Sequence, residues 1–326
     1  MKTRALGKSG IQVSEIGLGC WQLGGDFGPV EDDRAEDILR TAEEQGISFW
    51  DTADVYGSGQ SERRIAAFLQ YSTAKPFVTT KVGRSPEIYP DGYTKENVKK
   101  SIQGSAARLN VDCIDLVQLH CVPPAILKAG DIIDWMEEFQ KDGLIRFFGA
   151  SVETIEEARI ALRSPNLVSL QIIFNIFRQN AIDDLFPLAV SNDVGIIVRL
   201  PLASGVLSGK MTRNQQFAET DHRHYNRHGE AFSVGETFSG IPFETALNLV
   251  EELKALVPDG MTMAQMALRF ILDHPAVTTI IAGASRPEQV IENASVSSLQ
   301  LLPETLHRKL ADIYRRDVEP ALLVAV

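Results

Sequence analysis

Asp51 and Tyr56 in FWDTADVYG, Lys81 in TTKVG and His120 in DLVQLH stand at, or just past, the ends of apolar, strand-like runs. They are a carboxylate, a phenol, an amine and an imidazole, and together they have a use that none has alone. A free phenol has a pKa near 10, so giving or taking a proton around neutrality needs help. A neighbouring ammonium supplies it: Lys81 lowers the pKa of Tyr56, and Asp51 holds Lys81 charged. His120 can orient a carbonyl oxygen.

Repeated elements must deliver such a set. Apolar, β-rich runs occur at 16–18, 48–50, 77–80, 114–119, 146–150, 168–173, 195–199 and 278–282. Helical patterns lie between many of them, as in Arg34–Gln45, Ser61–Leu69, Thr94–Leu109, Ile155–Arg163 and Pro287–Ser295. Eight strands alternating with helices imply parallel pairing and right-handed crossovers, and hence an α/β fold of the closed (β/α)8, or TIM-barrel, kind. In such a barrel the C-terminal strand ends form the active-site face, which is where the four residues fall. Residues 2–15 read as a short hairpin turning at Gly7–Gly10 and capping the N-terminal floor, and Pro303–Arg315 reads as an amphipathic helix followed by the apolar tail VEPALLVAV. The expected organisation is one domain over 1–326.

Composition bounds the rest. The chain of 326 residues is 44% hydrophobic, enough for a sizeable core, and has no apolar run near the length of a membrane span. Its N-terminus lacks the apolar centre and cleavage site of a signal peptide. Three cysteines (Cys20, Cys113, Cys121) without a C-x-x-C suit free thiols in a reducing cytoplasm. A net charge of −11 argues against general nucleic-acid binding. The expectation is a cytoplasmic enzyme acting on a small molecule, away from membranes, with its oligomeric state open.

Nearly the whole chain, from GLGCWQLGG at 17–25 to ASRPEQVIENA at 284–294, resembles the aldo-keto reductases, and the DTADVYG segment and the order Lys81, DLVQLH, GAS are specific to that family. The resemblance implies an NADPH-dependent reductase of aldehydes and ketones that binds nicotinamide without a Rossmann domain. No G-x-G-x-x-G follows any strand, in keeping with that. It implies Tyr56 as proton donor, Lys81 and Asp51 as its tuning pair and His120 as carbonyl orienter, with Trp21, Tyr56 and His120 against the substrate. For NADP(H) it implies Gly19, Cys20, Trp21 and Asp51 near the first two strand ends, and Ser151 and Gln171 on the nicotinamide carboxamide. It further implies Arg199, Pro201, Leu202, Gly205, Lys210, Arg223 and Arg227 after strand seven, and Gly283, Ser285, Arg286, Gln289 and Asn293 around the last helix N-terminus. A helix N-terminus offers free N–H groups to a phosphate, and the Arg286 fork suits a 2′-phosphate.

Three positions depart from the family pattern. Val152 stands where many members have Asn, Phe174 replaces a frequent tyrosine, and Arg199 occupies the place of a tyrosine that stacks on the nicotinamide. The stretch 204–243 is long, polar and glycine-dotted, and such a connector is usually functional or disordered. It reads as a lid that closes when a pyrophosphate meets Arg213, Arg223 or Arg227. Its HRHYNRH run at 222–228 reads as a solvated basic loop rather than a metal site. Trp21 reads as a substrate-pocket wall; Cys20 and Cys121 are candidates for oxidation-sensitive thiols, with buried, inert cysteine the commoner outcome. Two other activities fit the same four residues: oxidation of a sugar or polyol in the reverse direction, and a slow-turnover regulatory subunit resembling the potassium-channel β subunits.

Overall fold

The eight apolar runs pair side by side in chain order, and the last also bonds to the first. In the computed structural model, which describes residues 1–73 and 75–324, two hairpin strands, β1 (Thr3–Ala5) and β2 (Gln12–Ser14), precede the barrel. The barrel strands are β3 (Ile16–Gly19), β4 (Phe49–Asp51), β5 (Phe77–Val82), β6 (Ile114–His120), β7 (Ile145–Ser151), β8 (Ser169–Ile173), β9 (Gly195–Arg199) and β10 (Val277–Gly283). All pair in parallel, and β10 closes on β3 with Ile280 opposite Ile16 and Gly283 opposite Gly19. Such strands are covered on both faces, so they read as unbroken apolar runs instead of alternating ones.

The expected helices are present within two residues, as Asp32–Glu44, Gln60–Leu69, Lys95–Leu109, Ile155–Ala161 and Pro287–Ser295. Lys95–Leu109 illustrates why. Thr94 caps it by accepting the Asn97 N–H at 3.2 Å, and Val98, Ile102, Ala106 and Leu109 recur at helical spacing to bury one face. Two further helices, Phe243–Lys254 and Met263–Leu272, lie between the strand-seven segment and β10. In Met263–Leu272 every residue but Gln265 is buried, so this helix is packed on nearly all sides.

The hairpin seals the N-terminal end. Leu6 and Val13 join Phe49, Phe77, Leu116 and Ile197 in an apolar cluster separate from the main core. Arg4 donates to the carbonyls of Val277 and Leu272 at 2.6 and 2.7 Å. Gly7, at φ +48°, sits where a Cβ would lie 2.6 Å from the carbonyl oxygens of Asp193 and Val168, so only glycine fits there. At the other terminus, helix Glu304–Ile313 runs into a wider turn over Tyr314–Val318. The tail then bonds through the Leu323 N–H to the Gly240 carbonyl at 2.8 Å, so it meets the segment after β9; its last two residues lie outside those described.

That segment is a folded cap rather than an irregular loop. It contains the short helical turns Ala203–Ser208, His222–Tyr225, Val234–Glu236 and Phe238–Gly240, with His222, Glu236, Phe238 and Ser239 buried. Among the described residues, no helix is long and apolar enough to cross a membrane.

Candidate active site

Three consecutive strands bring the four candidate residues to the C-terminal mouth. Asp51 ends β4, Lys81 is next to last in β5 and His120 ends β6, while Tyr56 lies in the turn between β4 and helix Gln60–Leu69. Lys81 Nζ donates to Asp51 Oδ1 at 2.5 Å and to the Thr52 carbonyl at 2.8 Å, and lies 3.2 Å from the Tyr56 hydroxyl. The second Asp51 oxygen accepts from Gln171 Nε2 at 2.8 Å and Gln118 Nε2 at 3.1 Å. Asp51 and Lys81 are each 1% exposed, so the pair is rigid and shielded from salt. The Tyr56 and His120 rings stand edge to face, 6.2 Å between centroids.

Burial sets the protonation states here. Burial alone would lower the Lys81 pKa, but Asp51 and Tyr56 outweigh it and the ammonium is held above its ordinary value. Burial also pushes the Tyr56 phenol up to about 12, with Lys81 pulling the other way and losing. Lys81 pulls the phenol down as expected, but dehydration of the phenolate costs more than one ammonium 3.2 Å away returns, so the net shift is upward. His120 is held well below the usual imidazole range, by burial first and then by Arg84, Lys81 and Arg199. The mouth therefore holds a protonated phenol, a charged ammonium and a neutral imidazole.

Trp21 lies nearly parallel to Tyr56, 5.6 Å between centroids at 17°. Its Nε1 donates to Asp26 Oδ2 at 3.0 Å, and His222 packs on its other flank at 4.8 Å. His222 also meets Phe27 edge to face at 4.5 Å and is fully buried, so this part of HRHYNRH is a packing element and not a solvated basic loop.

Two cavities meet at Tyr56 and His120. The first, about 620 Å³, runs from the tetrad across the mouth toward helix Pro287–Ser295. Of the expected cofactor residues, Gly19, Trp21, Asp51, Gln171 and Arg199 line its inner end. Pro201, Leu202, Gly205, Lys210 and Arg223 line the cap side, and Gly283, Ser285, Arg286 and Gln289 the far end.

Cys20, Ser151, Arg227 and Asn293 do not line it. Cys20 is buried, with its N–H bonded to the Asp51 carbonyl at 2.8 Å. Ser151 Oγ is spent on Gln171 Oε1 at 3.4 Å, and Asn293 Nδ2 reaches the Gly283 carbonyl at 3.5 Å. The Arg227 guanidinium sits over the rings of Phe243 and Phe217 at 5.3 and 5.8 Å. Arg213 turns outward to Glu244 and Asn248, and Arg223 is engaged by Asp221, with its Nη2 2.6 Å from Oδ2. Gln289 Oε1 accepts the Ser285 N–H at 2.8 Å, closing the turn before the helix.

The second cavity, about 500 Å³, opens on the other side of Tyr56 and His120. Sequence reasoning missed most of its wall. Arg84 Nη2 bridges Glu153 Oε1 at 3.0 Å and Glu236 Oε1 at 2.7 Å, and Arg199 Nη1 lies 3.5 Å from the other Glu236 oxygen. Burial pushes Glu236 up, but Arg84 and Arg199 overcome it and hold the carboxyl at about 2. The Cys121 thiol lies 3.6 Å from Arg199 Nη2, yet burial still pushes it up, as it does the Cys20 thiol. Neither cysteine is an activated thiolate, which favours the buried, inert alternative over oxidation-sensitive thiols. Cys121, Glu153 and Glu236 bring ligand atoms within 4.8 Å of one another, but two guanidiniums already neutralise this cluster. Val152 takes no carboxamide role; its carbonyl accepts from Arg199 Nη2 at 3.2 Å. Gln118 was the one legible omission, since strand alternation places it on the face of His120.

The comparisons with known proteins agree with this geometry. Residues 15–314 match the sequence pattern of the Aldo/keto reductase family. The uncharacterized oxidoreductase YqkF of Bacillus subtilis (strain 168) is 28% identical over 329 residues, covering 98% of this chain and 99% of its own. Among solved structures, the holo form of aldo-keto reductase AKR11C1 from Bacillus halodurans superposes with a TM-score of 0.75 at 26% identity, covering 100% of this chain and 98% of its own. Glycerol dehydrogenase AKR11B4 from Gluconobacter oxydans superposes at 0.77 with 27% identity, covering 94% and 93%. The family match runs from the end of the floor hairpin to the C-terminal helix and leaves no barrel strand outside it, so the chain belongs to the aldo/keto reductase family of oxidoreductases.

Proposed function

We propose that this chain is a single-domain cytoplasmic enzyme that reduces aldehydes or ketones to alcohols with NADPH. The observation that carries the reading is Lys81, which contacts both Asp51 and the Tyr56 hydroxyl at the junction of two cavities. A carbonyl oxygen held between Tyr56 and neutral His120 takes its proton from the phenol, which Lys81 keeps oriented. When bound, a reduced nicotinamide supplies the hydride for the carbonyl carbon.

The first cavity suits such a cofactor. It carries Lys210, Arg223 and Arg286 along its wall, while Gln22 Oε1 and Arg199 Nε are buried there without a partner among the described residues. Arg286, half-exposed before helix Pro287–Ser295, is the residue placed to favour a 2′-phosphate, and Ser285 and the helix N-terminus to hold phosphate oxygens.

The test is a tryptophan-fluorescence titration with NADPH and NADH, followed by steady-state NADPH oxidation with 4-nitrobenzaldehyde. NADPH is expected to bind at least about tenfold tighter, a difference of about 1.4 kcal/mol. Tight binding without turnover would instead support a slow-turnover binding subunit. Oxidation of a polyol is the second reading, favoured by the similarity to a glycerol dehydrogenase. NADP⁺ reduction by glycerol or sugars, faster than aldehyde reduction, would move the assignment to it.

A further inference from the structure

We propose that the second cavity is the acceptor site, and that its Arg84–Glu153 pair selects uncharged carbonyl compounds bearing hydroxyls beside the carbonyl. Alkyl aldehydes and carboxylate-bearing aldehydes are the disfavoured classes. The inference rests on the reductase reading and names its substrate class.

The cavity, about 500 Å³, shares Tyr56 and His120 with the cofactor-sized cavity, so a molecule filling it presents a carbonyl to the proton donor. His120 is 5% exposed and its Nδ1 has no partner among the described residues. Beyond His120 the wall becomes polar. Both ion pairs of Arg84 run through Nη2, to Glu153 at 3.0 Å and to Glu236 at 2.7 Å. Its Nη1 and Nε therefore have no protein acceptor among the described residues. Glu153 is partly exposed, its side chain at 27%, and so is open to a ligand.

A guanidinium edge beside a carboxylate offers donors and an acceptor next to each other. Each hydroxyl is itself a donor and an acceptor, so neighbouring hydroxyls match the pair. An alkyl chain would strip water from both groups and give nothing back. An anionic chain gains little either. Glu153 and Glu236 already balance Arg84 and Arg199, and Asp26 adds a further carboxylate to the wall. Trp21, Tyr89 and Phe232 supply flat apolar faces for the C–H surface of such a substrate.

The test compares kcat/KM, at saturating NADPH, for erythrose, butanal and succinic semialdehyde, which share a four-carbon chain, with 4-nitrobenzaldehyde as the reactive control. Erythrose is expected to exceed butanal by at least about tenfold, as sites built to bond a hydroxyl reject analogues lacking it, and succinic semialdehyde is expected to be poorest. Glu153→Gln should shrink the erythrose-to-butanal ratio at least about fivefold, a readout independent of the fraction of enzyme that folds. Turnover of 4-nitrobenzaldehyde with butanal equal to or better than erythrose, or with the semialdehyde best, overturns the acceptor assignment alone. An unchanged ratio in Glu153→Gln does the same. Failure of all four aldehydes overturns the reductase reading and this inference together.

Discussion

Arg199, the last residue of β9, meets Glu236 at 3.5 Å with both side chains more than nine-tenths buried. The contact ties a barrel strand end to the cap that follows it, and Arg84, two residues past the end of β5, makes a second tie to the same carboxylate. Glu236 lines both cavities, so one residue of the cap touches the surroundings of cofactor and acceptor alike. Removing one partner from a buried ion cluster leaves the remaining charges uncompensated, which is the costly kind of loss.

Glu236→Gln should therefore loosen the cap. Trypsin cleavage at Arg213, Arg223 or Arg227 is expected to be about tenfold faster in the variant, because cleavage follows the open population. In the parent protein, saturating NADPH should slow the same cuts. Equal rates in both proteins, with and without NADPH, would make the cap a static feature.

Tyr56→Phe keeps the ring against Trp21 and removes only the hydroxyl. Carbonyl reduction should fall by about 10²–10⁴-fold while NADPH affinity stays within a few fold. Retention of more than about a tenth of the parent kcat would take the proton-donor role from Tyr56.

The barrel and its tetrad were legible because both depend on local pattern. A parallel barrel strand is an unbroken apolar run, and a polar residue at its end is conspicuous. The Arg84–Glu236 bond was not legible, since its partners lie 152 residues apart and neither interrupts a periodic pattern. The net direction of the Tyr56 shift is not legible for a related reason: the ammonium is visible in sequence, but the depth of burial that outweighs it is not. The role of His222 is hidden in the same way, because a buried packing histidine looks in sequence like its exposed neighbours His224 and His228.

Arg286→Ala tests the choice of nucleotide. Arg286 is half-exposed and only loosely paired with Glu288 at 3.8 Å, so it is free to engage a phosphate. A charged hydrogen bond at a half-exposed site is worth about 1–2 kcal/mol after solvent screening. NADPH binding, measured by fluorescence titration, should weaken about 5–30-fold with NADH nearly unchanged. Equal losses for both nucleotides would move Arg286 off the 2′-phosphate.

The pH dependence follows from the raised phenol of Tyr56 and the lowered imidazole of His120. Reduction needs Tyr56 protonated, and a phenol at about 12 stays so throughout the neutral range. His120, held well below the ordinary imidazole value, stays neutral over the same range and contributes no acidic limb near pH 6.5. The kcat/KM for aldehyde reduction should therefore be flat from about pH 6.5 to 9. Alcohol oxidation needs the opposite form, the phenolate, whose fraction rises about tenfold per pH unit below the pKa. Oxidation with NADP⁺ should climb steadily across the interval where reduction is level. Profiles of both directions with the same aldehyde–alcohol pair, at constant ionic strength, check the two signs together. A decline of reduction with a midpoint between about pH 7 and 8 would mean that the working acid is a group other than this buried phenol.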